Sequence, residues 1–393
     1  MKSTLVCMSL ILSLAAGARP AALQVPDVLT MTNGTKIAAR ADWESKRAPE
    51  IREFFLKNYY GRRPVERPPH LVFTVAEPDK VMMDGAALRK RIRCEYGGKY
   101  GTNSFVFTAF IPTKAPKPAP SFILICNRDP KKNIDPERIE RTEFWPAEEI
   151  VQRGYAALAF WNGDITPDRF HGRTLGCFAA FEDVEKMYRR TDGWGVLSAW
   201  AWGASRVLDW IETEPTLDAK HVGVVGHSRG GKTALVAGVM DARFAMACSN
   251  CSGCGGAKLN HMDLPKAEYF WHMARSRPFW FCPNWMEWVR RDQEMPFDQH
   301  MWVALMAPRL VCIASASKDD WAGPQGEFQT GRLASPVWEL YGKKGLVGNF
   351  FPALNTPLQD GCISYHYREG IHNLTVYDWT CYMDFADRHG WRK

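Results

Sequence analysis

Apolar and polar residues alternate in the first third of the chain and give way to unbroken apolar runs further on. Residues 71–76, 87–96 and 104–112 are alternating or β-branched, the period of strands with one face toward a core. An extended arm and a helix over 43–60 are expected before them. Residues 121–126 and 155–160 are apolar without interruption, which suits parallel strands covered on both faces. The Pro-rich residues 113–120 are few enough for a surface turn. Over 192–214 the period changes: Trp194, Leu197, Ala201, Ala204, Leu208 and Ile211 recur at three- and four-residue steps, the spacing of one helix face. Asp192 is placed to cap that helix and Pro215 to stop it. Further strands are expected at 222–225, 244–250, 309–316 and 363–367. Strands and helices in alternation predict an α/β three-layer sandwich with a mostly parallel central sheet. Nothing repeats and no shift of composition divides the chain, so one domain over 19–393 is expected.

Residues 257–304 break the alternation. Trp271, Trp280, Trp285, Trp288 and Trp302 crowd there with Phe270, Phe279 and Phe281. An insertion between two sheet strands would sit over their carboxyl ends. Two readings stay open: a cap whose rings pack on one another, or a cleft whose rings stack on the C–H faces of sugars.

The 393 residues are 46% hydrophobic and 24% charged, an ordinary globular balance. Residues 1–18 combine Lys2, a short apolar run and Ala16-Gly17-Ala18, the signature of a secretory leader cut near Ala18. A secreted or periplasmic protein is expected, and no later run is long enough to span a bilayer. The net charge of +7 falls to about +6 without Lys2. Basic residues are scattered, so neither nucleic acid nor membrane is an expected partner, and a monomer is expected. The leader takes Cys7 with it; the other cysteines would meet an oxidising compartment, where disulfides can form. Cys126, Cys248 and Cys312 fall inside apolar strand patterns, as buried thiols do. Cys251-x-x-Cys254 has no second pair at zinc spacing, so no metal is expected and no bridge is assigned.

The most informative run is residues 221–241, HVGVVGHSRGGKTALVAGVMD. A β-branched strand, the turn Gly226-His227-Ser228-Arg229-Gly230 and a helix pattern follow one another. This is G-x-S-x-G in the context that gives the motif meaning. The glycines allow a turn sharp enough to lift Ser228 to its tip. A serine hydroxyl is weakly nucleophilic until a base takes its proton, and the base needs an orienting acid. In α/β-hydrolases both follow the serine in the chain, acid first. His372 lies in a turn after the last strand, where a loop can lower an imidazole over Ser228. His366 alternates within a strand pattern, and His389 ends a terminal helix. Two aspartates close the strand at 310–316: Asp319 is the expected acid, with Asp320 its rival.

Five motifs make a resemblance specific: GHSRGGK at 226–232, SGCGG at 252–256, DDW at 319–321, GIHNLTVYDW at 370–379 and AWAWGASRVLD at 199–209. Together they resemble the glucuronoyl esterases of carbohydrate esterase family fifteen, most of all the bacterial branch, from Glu44 to the C-terminus. The resemblance implies an α/β-hydrolase that needs no cofactor or metal. It also implies cleavage of the ester between 4-O-methyl-glucuronic acid on glucuronoxylan and an alcohol of lignin. Ser228 would be the nucleophile, His372 the base, and Arg229 an aid to the oxyanion, adding a full charge to backbone donors. Lys232, Glu268 and Trp321 would contact the uronate. Many relatives carry an acidic residue where Cys251 stands; a thiol cannot orient an imidazolium as a carboxylate does, so Asp319 would act alone. Fungal relatives place a bridged cysteine at the position of His227, and no such disulfide is expected here. An acetyl-xylan or other carbohydrate esterase and a non-catalytic polysaccharide-binding protein are the competing readings.

Overall fold

Nine strands form one sheet in the order β1-β2-β3-β5-β4-β6-β7-β8-β9. They are β1 (His70–Met82), β2 (Ala87–Gly98), β3 (Gly101–Pro112), β4 (Ala119–Cys126), β5 (Ala156–Trp161), β6 (Leu217–His227), β7 (Met246–Asn250), β8 (Leu310–Ala316) and β9 (Ile363–Arg368). The first three and the β3–β5 pair run antiparallel; from β5 to β9 all neighbours are parallel. The computed structural model that shows this describes residues 25–187 and 189–392, so the expected leader lies outside them.

The burial of each strand follows its sequence pattern. Every residue of β4, β7 and β8 is buried, as unbroken apolar runs require, while the edge strand β1 is half exposed. β1 outruns its apolar signal by continuing through Glu77, Asp79 and Lys80 to Met82. Cross-strand ion pairs hold that polar extension: Arg89 and Arg91 reach Glu77 at 3.1 and 3.3 Å, and Lys90 reaches Asp79 at 3.0 Å.

Helices α1 (Ala48–Asn58), α2 (Val196–Ile211), α3 (Arg229–Met240), α4 (Pro324–Glu339) and α5 (Val376–Arg388) complete the sandwich. The helix expected over 43–60 begins as a π-helical turn, Trp43–Arg47, that leads into α1. The expected cap of α2 is corrected. Gly195 precedes the helix, where a Cβ would lie 2.2 Å from the Trp280 carbonyl oxygen. Asp192 pairs with Arg62 Nε at 3.0 Å instead, a charged partner that the helix N-terminus did not outcompete. One hydrophobic cluster runs through the sheet and its helices from Val28 to Trp391. No helix among the described residues is long and apolar enough to cross a membrane.

The aromatic insertion is mostly core. Trp285, Trp302, Phe270 and Phe281 are fully buried. Their rings meet the end of α1 and the residues after it: Phe55 lies 5.1 Å from Trp302, Tyr59 lies 5.1 Å from Phe281, and Phe281 stacks on Trp285 at 4.5 Å. Trp271 is the exception, 41% exposed.

Candidate active site

β6 ends at His227 and α3 begins at Arg229, which leaves Ser228 alone at the turn with φ 57° and ψ −124°. A non-glycine residue rarely adopts that backbone, and here it aims a side chain away from the sheet. Gly226 permits it: a Cβ there would sit 2.0 Å from the Gly230 carbonyl oxygen. The Ser228 N–H donates to the Asn250 carbonyl at 2.8 Å, which fixes the turn to the end of β7.

His372 lies in the loop after β9. Its Nδ1 is 2.6 Å from Asp319 Oδ2, with the carboxylate side chain 3% exposed and the imidazole 39%. The imidazole ring also packs 4.3 Å from the ring of His227, the residue before Ser228. His227 is buried, and its Nδ1 lies 2.6 Å from Asn250 Oδ1. Burial, helped by the neighbouring His372, holds its pKa well below the usual histidine value, so it packs as a neutral ring. Asp319 closes the turn after β8 and accepts the Ala322 N–H as well. Thus one carboxylate oxygen serves the turn and the other the imidazole.

The rival residues lie elsewhere. Asp320 is exposed and pairs with Lys266 at 3.1 Å. His366 is buried on β9, with Nε2 2.8 Å from Asp378 Oδ1. His389 meets the Gly361 carbonyl at 3.0 Å.

Arg229 is held on two sides. Its Nε lies 2.7 Å from Asp168 Oδ2, and Nη2 donates to the Asn127 carbonyl at 2.7 Å. Asp168 also accepts Trp280 Nε1 at 2.8 Å, so one carboxylate ties the arginine to the insertion. One turn along α3, the buried Lys232 ammonium donates to Ser252 O, Cys254 O and Glu268 Oε2 at 2.5, 2.6 and 2.8 Å. Its three protons are therefore taken by the protein, and Glu268 becomes the outward end of that pair. The Glu268 N–H donates to the Trp321 carbonyl at 2.8 Å. Trp321 is 45% exposed and meets His272 edge-on at 4.5 Å, next to Trp271.

Other residues that shape the site escaped sequence reasoning. Asp168, Asn250 and Glu327 all organise it. Glu327 is fully buried in α4 and accepts the N–H groups of Ser252 and Gly253 at 2.7 and 2.9 Å and Ser315 Oγ at 2.6 Å. Burial pushes its carboxyl up to about 7. It braces the loop whose carbonyls hold Lys232. Nothing local in the sequence marks it, because an acid in a first helical turn ordinarily faces solvent.

The family model described as fungal glucuronyl esterase matches residues 139–342. Carbohydrate esterase MZ0003, from an unknown prokaryotic organism, is 34% identical over 93% of this chain and 89% of its own length. A solved glucuronoyl esterase from Solibacter usitatus superposes with a TM-score of 0.85 at 35% identity, covering 92% of this chain and 97% of that one. A promiscuous CE15 esterase from a marine bacterial metagenome does so with a TM-score of 0.82 at 34% identity, over 93% and 96%. The motif resemblance and the α/β-hydrolase fold are both borne out, and this chain belongs to the glucuronoyl esterases, family 15 of the carbohydrate esterases.

Proposed function

We propose that this chain is an exported serine esterase that cleaves the ester between (4-O-methyl-)glucuronic acid of glucuronoxylan and lignin alcohols, through an acyl-enzyme on Ser228. The observation that carries the reading is the His372–Asp319 pair at 2.6 Å, packed through His227 against the Ser228 turn. In it, Asp319 accepts the Nδ1 proton and leaves the Nε2 lone pair to take the Ser228 proton. The alkoxide attacks the uronate carbonyl, and the tetrahedral oxyanion is met by backbone N–H groups at the start of α3 and by the Arg229 guanidinium. A single donor of that kind is worth about 10²–10³ in rate. The imidazolium then protonates the departing alcohol. Water, deprotonated by the same imidazole, releases the uronic acid. Glu268 and Trp321, with Lys232 behind Glu268, form the wall proposed to meet the uronate ring.

A panel of glucuronate methyl and benzyl esters, galacturonate esters and acetylated xylan tests this. Wild-type enzyme is expected to turn over glucuronate esters fastest, and Ser228→Ala to lose that turnover while keeping its fold. Faster turnover of acetyl esters would instead make it an acetyl-xylan esterase on the same scaffold.

A further inference from the structure

We propose that Cys251, Asp319 and His372 form a binding site for a soft divalent cation such as Zn2+ or Cd2+, whose occupancy inhibits the esterase. One ligand atom from each residue lies within 4.8 Å of the other two. The Cys251-x-x-Cys254 spacing gave no hint of this, because the donors come from three separate strand ends. Cys251 directly follows β7 with a positive φ of 45°, and its N–H is fixed to the Ala314 carbonyl at 2.7 Å. The thiol is thereby held beside the turn after β8 that carries Asp319. Ala316 and Ala322 pack with it as a small apolar patch, and besides Asp319 the carboxylates of Glu327 and Asp378 and the Arg368 guanidinium act on the thiol, whose pKa burial pushes well up.

The donor set suits the ion. Thiolate, imidazole and carboxylate bind Zn2+ at roughly 2.0–2.3 Å and leave a fourth position open. One thiolate, one carboxylate and a neutral imidazole among themselves offset a divalent charge, which matters where two of the three ligands are buried. Soft sulfur selects against Mg2+ and Ca2+. To admit the ion, His372 must draw its Nδ1 back by roughly 1 Å from its present 2.6 Å contact with Asp319 Oδ2. Its half-exposed ring gives the ion a way in.

Inhibition follows from proton bookkeeping. In the working state the single imidazole proton sits on Nδ1 and Nε2 is the base. A cation on Nδ1 moves that proton to Nε2, and the Cys251 thiol proton leaves to solvent. The ring then carries N–H toward Ser228 and accepts nothing from it. Such a metal is an inhibitor, not a cofactor.

The experiment uses chelator-treated full-length enzyme, Cys251→Ser and Cys251→Ala, each titrated with ZnCl2 and CdCl2 and compared with its own metal-free rate. The inhibition arm rests on the proposed Ser228–His372 chemistry; the ultraviolet thiolate-to-cadmium band is read without substrate and does not. Wild type should be inhibited reversibly, with activity restored by EDTA, and should show the band. Both variants should lose the band and need about tenfold more metal or higher, since a ligand counts for at least as much as an outer-shell partner. Equal inhibition of wild type and both variants, or an unchanged band in the variants, overturns the site. Inhibition absent but the band present would keep the site and overturn its coupling to catalysis.

Discussion

Arg368 Nε lies 2.8 Å from Asp378 Oδ2 in a pair almost wholly shielded from water, and the guanidinium goes on to donate to the carbonyls of Glu369, Ile371 and Asn373. The loop carrying His372 is thus tied at three points to one side chain, which α5 anchors through Asp378. Arg368 is a positioning residue: it touches no reacting atom but sets where the imidazole sits.

Replacing Arg368 by Lys keeps a cation beside Asp378 but removes the planar fork that reaches three carbonyls. A loop displaced by about 1 Å can cost roughly 10²-fold in rate. Arg368→Lys is therefore expected to lower kcat by about 10–100-fold with KM nearly unchanged. Steady-state kinetics on a glucuronate methyl ester checks this. A raised KM at constant kcat would mean the loop contacts substrate rather than positioning the base.

The two neighbouring aspartates should behave in opposite ways. Asp319→Asn keeps the shape but presents a donor where Nδ1–H needs an acceptor, a change that costs about 10⁴ in kcat in such triads. Cys251 supplies no spare carboxylate. Asp320→Asn removes only an exposed pair with Lys266, worth less than about 1 kcal/mol, and should leave kcat within twofold. Near-full activity in Asp319→Asn would move the acid elsewhere.

How much of this was legible depended on whether a residue's partner was local. β4, β7 and β8 could be placed because burial on both faces writes a continuous apolar run into the chain. The sharp turn at Ser228 was legible because strand, turn and helix adjoin it, and the Asp319–His372 contact because chain order and strand ends narrow the choice. The far half of β1 was not, since cross-strand charge pairs replace apolar alternation there. Nor were the insertion's tryptophans: their spacing is the same whether they meet sugar or pack within the protein, as Trp285 does on Phe281 and Trp288 and Trp302 do on α1. Asp378 is the third residue of a capping box opened by Thr375, and no local pattern announces its further bonds, which come from His366 and Arg368 on the preceding strand. Lys232 was assigned by resemblance to substrate, whereas its protons go to the protein.

That insertion offers a stability test. Trp302→Ala opens a cavity beneath α1 and is expected to cost about 3–5 kcal/mol. Trp271→Ala at the surface should stay within about 0.5 kcal/mol. Urea unfolding of both variants separates core from surface, and comparable losses would refute the division.

His366 makes alkaline stability depend on one buried ring. Burial alone would pull its pKa down, but its neighbours Cys381 and Asp378 outweigh burial and push it up to about 10. The folded state thus holds the proton more tightly than the unfolded chain, so this contribution is complete below the ordinary histidine value. It declines as pH rises and is lost by about 10. His366→Gln keeps an N–H donor for Asp378 without a titration. The urea midpoint of wild type should therefore fall more steeply than that of His366→Gln between neutral pH and the raised value. Parallel curves would show that the ring is neutral in the fold.

Lys232 and Glu268 act as one unit, and their coupling is measurable. Both are largely buried, so removing either leaves a charge without its partner, typically a loss of about 3–5 kcal/mol. Lys232→Met strands Glu268 at the mouth of the site; Glu268→Gln keeps an acceptor for the ammonium and should be milder. The double variant is expected to be more stable than the sum of the singles implies, by about 1–3 kcal/mol. The same pair should govern recognition, because Glu268 is joined to Trp321 by its backbone. Glu268→Gln should then raise KM for glucuronate esters while leaving a small acetyl ester, which cannot reach that wall, nearly unaffected. Additive stabilities would break the pair as a unit. Equal effects on both substrates would leave it structural, with the uronate recognised elsewhere.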